Sequence, residues 1–312
     1  MTLKTVSTLA LALALIASNG VAQSLTGTSL GTVTVFDVPN ATNTVPLDID
    51  AAGVIVGRYL SAGVVHGFLR DSSGNLTTID FPGSSFTAAT SINGTGDIVG
   101  QYALPSAPTQ RHGFLLRDGV FTSFDAPGSV FTNALGVNES GDIVGRYCPP
   151  GPCTPTSPGT HGYLLHDGEL TNIDVPGAAR TDAWRINDRG QILGAFPPPS
   201  GAEELFLLSH GEFTTIALPG GQPVSSDIGG LNERGDIVGT YCDVASPCVI
   251  GPAGTHGFLI NGDEFTTIDI PDALATVTAG INARGDIVGS YSDGSHFHGF
   301  LLSQWVYQPN GQ

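Results

Sequence analysis

Five histidines recur at one place in a repeated sequence unit. His66, His112, His161, His256 and His298 each open a His-Gly-aromatic step. A ring of imidazoles could hold a metal ion or move protons, because an unperturbed histidine titrates at about 6.5. Their spacing argues instead for a structural role. In HGFLLRDGVFTSFD the Asp118-Gly119 pair reads as a two-residue hairpin loop. Residues 117 and 120 then face each other, and counting outward sets His112 opposite Asp125. The same count joins His161 to Asp174 and His256 to Asp269. One extra loop residue sets His66 opposite Asp80, and His298 meets Asp37 if the two ends of the chain come together. A sixth, degenerate copy has Glu204 where the histidine is expected, and there the aspartate is replaced by Ala217. Two positions that change together are what direct contact demands. A cross-strand charged pair contributes roughly 0.2–1 kcal/mol. These histidines are expected to titrate above the ordinary value, each beside a carboxylate.

The elements that position these pairs are short strands. After each His-Gly-aromatic strand come a turn, Phe-Thr-x-Ile-Asp-x-Pro-Gly, a Thr/Ala-rich strand ending in Ile-Asn, and Gly-Asp-Ile-Val-Gly. The Ile-Asn segment starts at Ile49, Ile92, Val137, Ile186, Leu231 and Ile281, a period of about 46 residues. Such a period is typical of propeller blades. In the degenerate copy the strands run 181–187, 191–196, 204–208 and 213–217, rich in β-branched and aromatic residues and bounded by Gly, Pro, Asn or Asp. The N-x-x-G step suits a type I turn followed by a left-handed glycine. No segment beyond the N-terminus keeps a helical period.

The expected fold is all-β, a six-bladed β-propeller with four antiparallel strands per blade. From inside to outside the order is Thr/Ala-Ile-Asn, Asp-Ile-Val-Gly, His-Gly-Phe and Phe-Thr-x-Ile-Asp. Near the N-terminus, VTVFDVP is a lone fourth strand, and the C-terminal HGFLL is a third strand without a fourth. The N-terminal strand is therefore expected to complete the C-terminal blade and close the ring, which removes open sheet edges.

Repeats carry function where copies differ. The innermost strand has, two residues before its Asn or Asp, Asp48, Ser91, Gly136, Arg185, Gly230 and Gly280. Asp48 and Arg185 break a small-residue rule, and Trp184 stands beside Arg185. Asn133, Asp182 and Asp227 stand toward the other end of this strand in three successive copies. Asp48, Asn133, Asp182, Trp184, Arg185 and Asp227 are the candidate binding residues, at a channel mouth. The competing reading is that Trp184 and Arg185 merely fill space or pair with Asp182 in blade packing.

Composition narrows the chemistry. The chain has 28 Asp+Glu against 11 Lys+Arg, a net charge of −17, with 43 Gly and 21 Pro. So acidic a chain has no footprint for nucleic acid or for anionic membranes. Lys4 is the only lysine, so the chain beyond it has neither a Schiff-base nor a P-loop lysine. No nucleophile elbow, H-E-x-x-H or dinucleotide fingerprint occurs, and no cofactor is expected. Asp48-Ile49-Asp50 followed by Gly53 faintly resembles a calcium loop but lacks alternating oxygen ligands and a distal Glu. A structural calcium ion is the weaker alternative there. Two Arg-Gly-Asp tripeptides, at Arg234 and Arg284, fall inside the repeated turn, which itself demands the Gly and Asp.

Residues 1–22 read as a secretory signal peptide: Lys4, an apolar run over 9–17, and Gly20-Val21-Ala22 before the cut. Residues 23–32 are a short linker and 33–312 one domain. The cysteines form two close pairs, Cys148 with Cys153 and Cys242 with Cys248, and export favours a local disulfide in each. The first spacing also permits a zinc pair, but no further ligands are spaced to match.

The unit H-G-F-L-L-x-D-G-x-F-T-x-I-D-x-P-G…G-I-N-x-x-G-D-I-V-G resembles the HAF-repeat family of bacterial extracellular proteins, over nearly all of residues 33–302. The family's name motif has Ala where this chain has Gly in all five His copies. The resemblance implies export and a repeated β-fold, and it carries no activity and no catalytic residue. The expected role is a secreted, periplasmic or extracellular monomer that binds a cell-surface or matrix component such as a glycan, with no nucleic acid and no membrane insertion. A glycan hydrolase or lyase at the channel mouth is the second reading, and an envelope protein without ligand the third.

Overall fold

The computed structural model describes residues 31–151, 157–198, 203–219, 222–225, 229–243, 248 and 254–303, with the backbone of two short strands, Lys4–Thr5 and Gln23–Ser24. Cys153, Asp227, most of the expected signal peptide and the segment 304–312 lie outside the described residues. Gln23–Ser24 pairs antiparallel with Thr32–Val33, so the expected linker adds a short stretch of sheet.

The chain is all-β. Among the described residues no helix is long and apolar enough to cross a membrane. Each repeat forms an antiparallel run, as in Phe131–Val137, Ile143–Cys148, His161–His166 and Glu169–Ile173. The innermost strands are Asn43–Ile49, Phe86–Ile92, Phe131–Val137, Asp182–Ile186, Gly230–Leu231 and Ala275–Ile281. They neighbour one another in chain order, and Ala275–Ile281 also packs against Asn43–Ile49.

Two glycines explain why the repeat reads as it does. The last Gly of Ile-Val-Gly sits under the aromatic ring of the next strand's His-Gly-aromatic. A Cβ on Gly289 would stand 1.9 Å from the Val277 carbonyl and 2.9 Å from the Phe300 ring. At Gly145 the same clash is with the Asn133 carbonyl, at 1.9 Å, and the Tyr163 ring. Only a bare backbone lets the rings of Phe68, Phe114, Tyr163, Phe206, Phe258 and Phe300 bury completely, and these rings form the heart of each unit.

The turns follow their chemistry. Arg117 faces Val120 across Asp118-Gly119, both of which take positive φ. In N-x-x-G the glycine is left-handed, and Gly96 N–H donates to the Asn93 carbonyl. Four of the five Asn side chains reach the next unit, Asn93 doing so at Asn138 O, whereas Asn138 Nδ2 donates to Asp142 of its own turn. Asn187 Nδ2 donates to Asn232 O, Asn232 Nδ2 to Asn282 O, and Asn282 Nδ2 to Asp50 O at 3.0 Å.

The first and last repeat strands meet. Thr32–Phe36 pairs antiparallel with Phe297–Ser303, in a register that sets Gly299 opposite Phe36. Phe297 also bridges Asn43 in parallel, as Val65 bridges Phe86 between earlier units.

Candidate functional site

Two groups of side chains stand out, a rim and a centre. On the rim, His66 Nδ1 lies 2.8 Å from Asp80, His112 2.8 Å from Asp125, and His161 3.0 Å from Asp174. His256 lies 2.9 Å from Asp269 and His298 2.8 Å from Asp37. Each imidazole also packs on a tyrosine of the preceding strand: Tyr59, Tyr102, Tyr147, Tyr241 and Tyr291, with centroids 5.1–5.3 Å apart. The degenerate copy has Phe196 opposite Glu204, so it lacks the tyrosine as well. The unit is therefore a Tyr-His-Asp set that ties three chain segments together. Burial pulls His256 down, but hydrogen bonds and charge from Asp269 and Asp243 outweigh it and raise its pKa above the ordinary value. His298 behaves alike between Asp37 and Asp293.

At the opposite ends of these strands lie the Arg-Gly-Asp tripeptides, which the turns there account for. Arg234 donates through Nε to its own Asp236, and Arg284 likewise to Asp286. Their Nη1 atoms reach the next turn, at Ala283 O and Ala51 O. These arginines are staples between turns.

At the centre, the innermost strands approach so closely that side chains are squeezed out. A Cβ on Gly136 would lie 2.9 Å from the Arg185 Cα, one on Gly230 3.0 Å from the Gly280 Cα, and one on Gly280 2.8 Å from the Asp48 Cα. This is the physical origin of the small-residue rule. Arg185 fills the waist and crosses it. Its Nη1 donates to Leu135 O at 2.6 Å and Trp184 O at 2.9 Å, and its Nη2 donates to Leu47 O at 2.7 Å. Its Nε stands 3.9 Å from Asp48 Oδ1. Asp48 accepts hydrogen bonds from Ser91 Oγ at 2.5 Å, Ile92 N and Ile49 N. Burial raises the Asp48 pKa against the opposing pull of Arg185, and burial lowers that of Arg185.

Beside this plug lies a cavity of about 140 Å³. Leu47, Leu135 and Trp184 give it apolar surface, and Arg58, Arg146 and Arg185 give it charge. Arg58 and Arg146 hold the same place, directly after the glycine of Ile-Val-Gly, where Gln101 stands in the copy between them. Asn133 faces Arg146 across the strand pair. Arg146 is 7% exposed and lies 3.3 Å from Asp182, which is itself fully buried. Asp182 also pairs with Arg180, and Arg180 with Glu203 at 2.6 Å. The candidate residues thus divide: Trp184 and Arg185 line the cavity, Asp48 anchors Arg185 and Asp182 anchors Arg146. In the fifth copy Ser225 N–H donates to Thr240 O, so Ser225 takes the register place of Asn133. Asp227 falls outside the described residues. Arg58, Gln101 and Arg146 carry no mark on the innermost strand; what sets them apart is the variation of the residue after Ile-Val-Gly (Ile-Leu-Gly in the fourth copy), which reads Arg58, Gln101, Arg146, Ala195, Thr240 and Ser290.

Cys242 and Cys248 form a disulfide that closes a loop six residues apart. Cys148 is disulfide-bonded too, and Cys153 lies outside the described residues. Among the described residues no group of three or more His, Cys, Asp or Glu side chains could hold a metal ion.

No family model matches the chain, and no curated protein resembles it in sequence. Solved structures do resemble it in shape. The β-propeller domain of the Trilobed protease from Pyrococcus furiosus superposes with a TM-score of 0.51 at 13% identity, over 91% of this chain and 90% of that one. The fold is a β-propeller. A virginiamycin B lyase from Staphylococcus aureus with quinupristin matches at TM-score 0.50 and 12% identity, over 87% of each chain. The Aleuria aurantia lectin in complex with Fucα1-6GlcNAc matches at 0.51 and 13%, over 87% of this chain and 98% of the lectin. Identities this low carry the propeller fold and nothing of its chemistry.

Proposed function

We propose that the chain is an exported six-bladed β-propeller, closed by Thr32–Phe36 as the outer strand of the last blade. It acts as a monomeric binding module for a glycan of a cell surface or matrix, seated in the central cavity. One observation carries the functional part: the cavity lies where the near-sixfold pattern breaks, and the departures there include Arg58, Gln101, Arg146, Trp184 and Arg185. Residues with no duty in blade packing across the other copies are the ones to recognise a ligand. For closure, the supports are the pairing of Phe297–Ser303 with Thr32–Phe36 and the Asn282 bond to Asp50. For export, they are the N-terminal signature, the disulfide and the repeat's resemblance to extracellular HAF-repeat proteins. Binding is preferred to hydrolysis or lysis because the two central carboxylates are engaged, Asp48 by Ser91 and Arg185 and Asp182 by Arg146 and Arg180. An acid–base catalyst needs a carboxylate that can exchange a proton with substrate. A thermal-shift screen of the purified processed chain against glycans tests the reading. A ligand at 100 times its Kd adds about 2.7 kcal/mol, and no shift with any glycan would sink the proposal.

A further inference from the structure

One hairpin of the fifth copy is built differently from its relatives. At the end of the His-Gly-aromatic strand the second copy has Arg117 and the third has His166. Each bonds the aspartate of its own copy's Gly-Asp step, Arg117 to Asp97 and His166 to Asp142. The fifth copy has Asn261 at this place, and its Asp236 is already held by Arg234. Asn261 is half-buried, and its side chain has no hydrogen-bond partner among the described residues.

The loop that follows is different too. Asn261 faces Glu264 across Gly262-Asp263. Here the glycine comes first, with a φ of +59°. In Asp118-Gly119, Asp167-Gly168 and His210-Gly211 it comes second, and both residues take positive φ. A glycine in the first place marks a type II′ turn. The result is an Asn-Gly step at an exposed hairpin tip. Nothing lies within 4 Å of the place a Gly262 Cβ would take, and the Gly262 N–H donates to no acceptor among the described residues.

At such a step the chain can attack itself, because glycine has no Cβ in the way and bends freely. The backbone nitrogen of Gly262 gives up its proton and bonds to Cγ of Asn261. The Cγ–Nδ2 bond breaks, and the amide leaves as ammonia with that proton. Water then opens the five-membered succinimide. Breaking the new Cγ–N bond leaves an aspartate, and breaking the main-chain carbonyl–N bond leaves an isoaspartate. The chain contains its own control in Asn93-Gly94. Asn93 is 4% exposed, its Nδ2 donates to Asn138 O at 2.9 Å, and its Oδ1 accepts from Thr95 Oγ1 and Asp97 N. Gly94 N–H donates to Glu139 Oε1 at 2.6 Å. Both reacting groups are tied down there, so that step reacts only through local opening.

We infer that Asn261-Gly262 is a self-modification site, where the folded chain converts asparagine to aspartate and isoaspartate while Asn93-Gly94 is spared. Either product sets a new carboxylate across from Glu264, and like charges directly opposite destabilise a strand pair. Isoaspartate also lengthens the backbone at the strand end, so the hairpin of Thr255–Asn261 and Glu264–Ile268 loosens as the molecule ages. The test keeps the processed chain folded in warm, mildly alkaline buffer and follows the two Asn-Gly peptides over time by proteolysis and mass spectrometry. Asn261 should convert at least about ten-fold faster than Asn93, and the gap should close in urea, where both steps are free. Asn261→Gln, which would need a six-membered ring, should abolish the conversion with an unchanged thermal midpoint. Equal rates in the folded chain overturn the inference, as does an Asn261 that converts only in urea. A gap that persists in urea assigns the difference to neighbouring residues rather than to the fold and overturns the structural argument. An acidic form that still accumulates in Asn261→Gln places the reaction elsewhere and overturns it as well.

Discussion

Replacing Arg185 by methionine keeps a linear, space-filling stem while deleting the charge that crosses the waist. Three backbone carbonyls, of Leu47, Leu135 and Trp184, lose a donor, and Asp48 loses the counter-charge at 3.9 Å. Removing one member of a buried ion pair costs about 3–5 kcal/mol, because the other is left uncompensated. At about 2 °C per kcal/mol for a domain of this size, Arg185→Met should lower Tm by about 6–10 °C. Adding Asp48→Asn removes the stranded charge, so the double variant should recover part of the loss. The pH dependence has a definite sign. Asp48 has a folded pKa above its ordinary 3.8, raised by burial. A carboxyl raised in this way favours the folded state fully below pH 3.8 and loses that contribution as pH rises through the folded value. Without Arg185 the folded value climbs further. The gap between Arg185→Met and the double variant should therefore be full near pH 7 and shrink as the pH is lowered toward 4. Chemical denaturation at several pH values reads it directly. A single variant as stable as the parent, or a double variant no better than the single, would refute the plug.

The degenerate copy offers a gain-of-stability test of the rim. Glu204→His with Ala217→Asp should raise stability by about 0.2–1 kcal/mol over the sum of the single changes, read by a double-mutant cycle. Proton titration by NMR should place His256 and His298 above 6.5, since the carboxylates of Asp269 and Asp243, and of Asp37 and Asp293, outweigh burial. Their contribution to stability is then present below pH 6.5 and lost as pH rises through the raised values, and Asp243→Asn should lower the midpoint of His256. Gly289→Ala should cost about 1–3 kcal/mol in a denaturation curve, because its methyl has nowhere to go between the Val277 carbonyl and the Phe300 ring.

Much of this architecture is legible in the sequence because a propeller repeats its local chemistry. Turn geometry alone gives the cross-strand count that sets His112 against Asp125, and the paired loss at Glu204 and Ala217 marks contact without any coordinates. The tyrosine under each imidazole is harder to see, since Tyr in Ile-Val-Gly-x-Tyr reads as ordinary strand aromatic. Its replacement by Phe196 in the same copy that lacks the histidine is the signal. The waist residues Asp48 and Arg185 stand out against glycines that exist because neighbouring strands nearly touch. The second strand hides more. Arg58 and Arg146 look like solvent-facing charges in a strand, and only the convergence of several units on one axis brings them to Trp184. Asp182 reads as a ligand-binding acid, whereas burial between Arg146 and Arg180 makes it an anchor.

The central claim is that a glycan sits against Trp184, and the fluorescence of that side chain tests it most directly. The chain has two tryptophans, and Trp305→Phe leaves Trp184 as the sole reporter. Titrating the best glycan of the screen into that variant should give a saturable change in Trp184 emission, with the same Kd as calorimetry, and Arg146→Gln should abolish it. Calorimetric binding with an unchanged Trp184 spectrum would place the ligand elsewhere on the molecule and contradict the account.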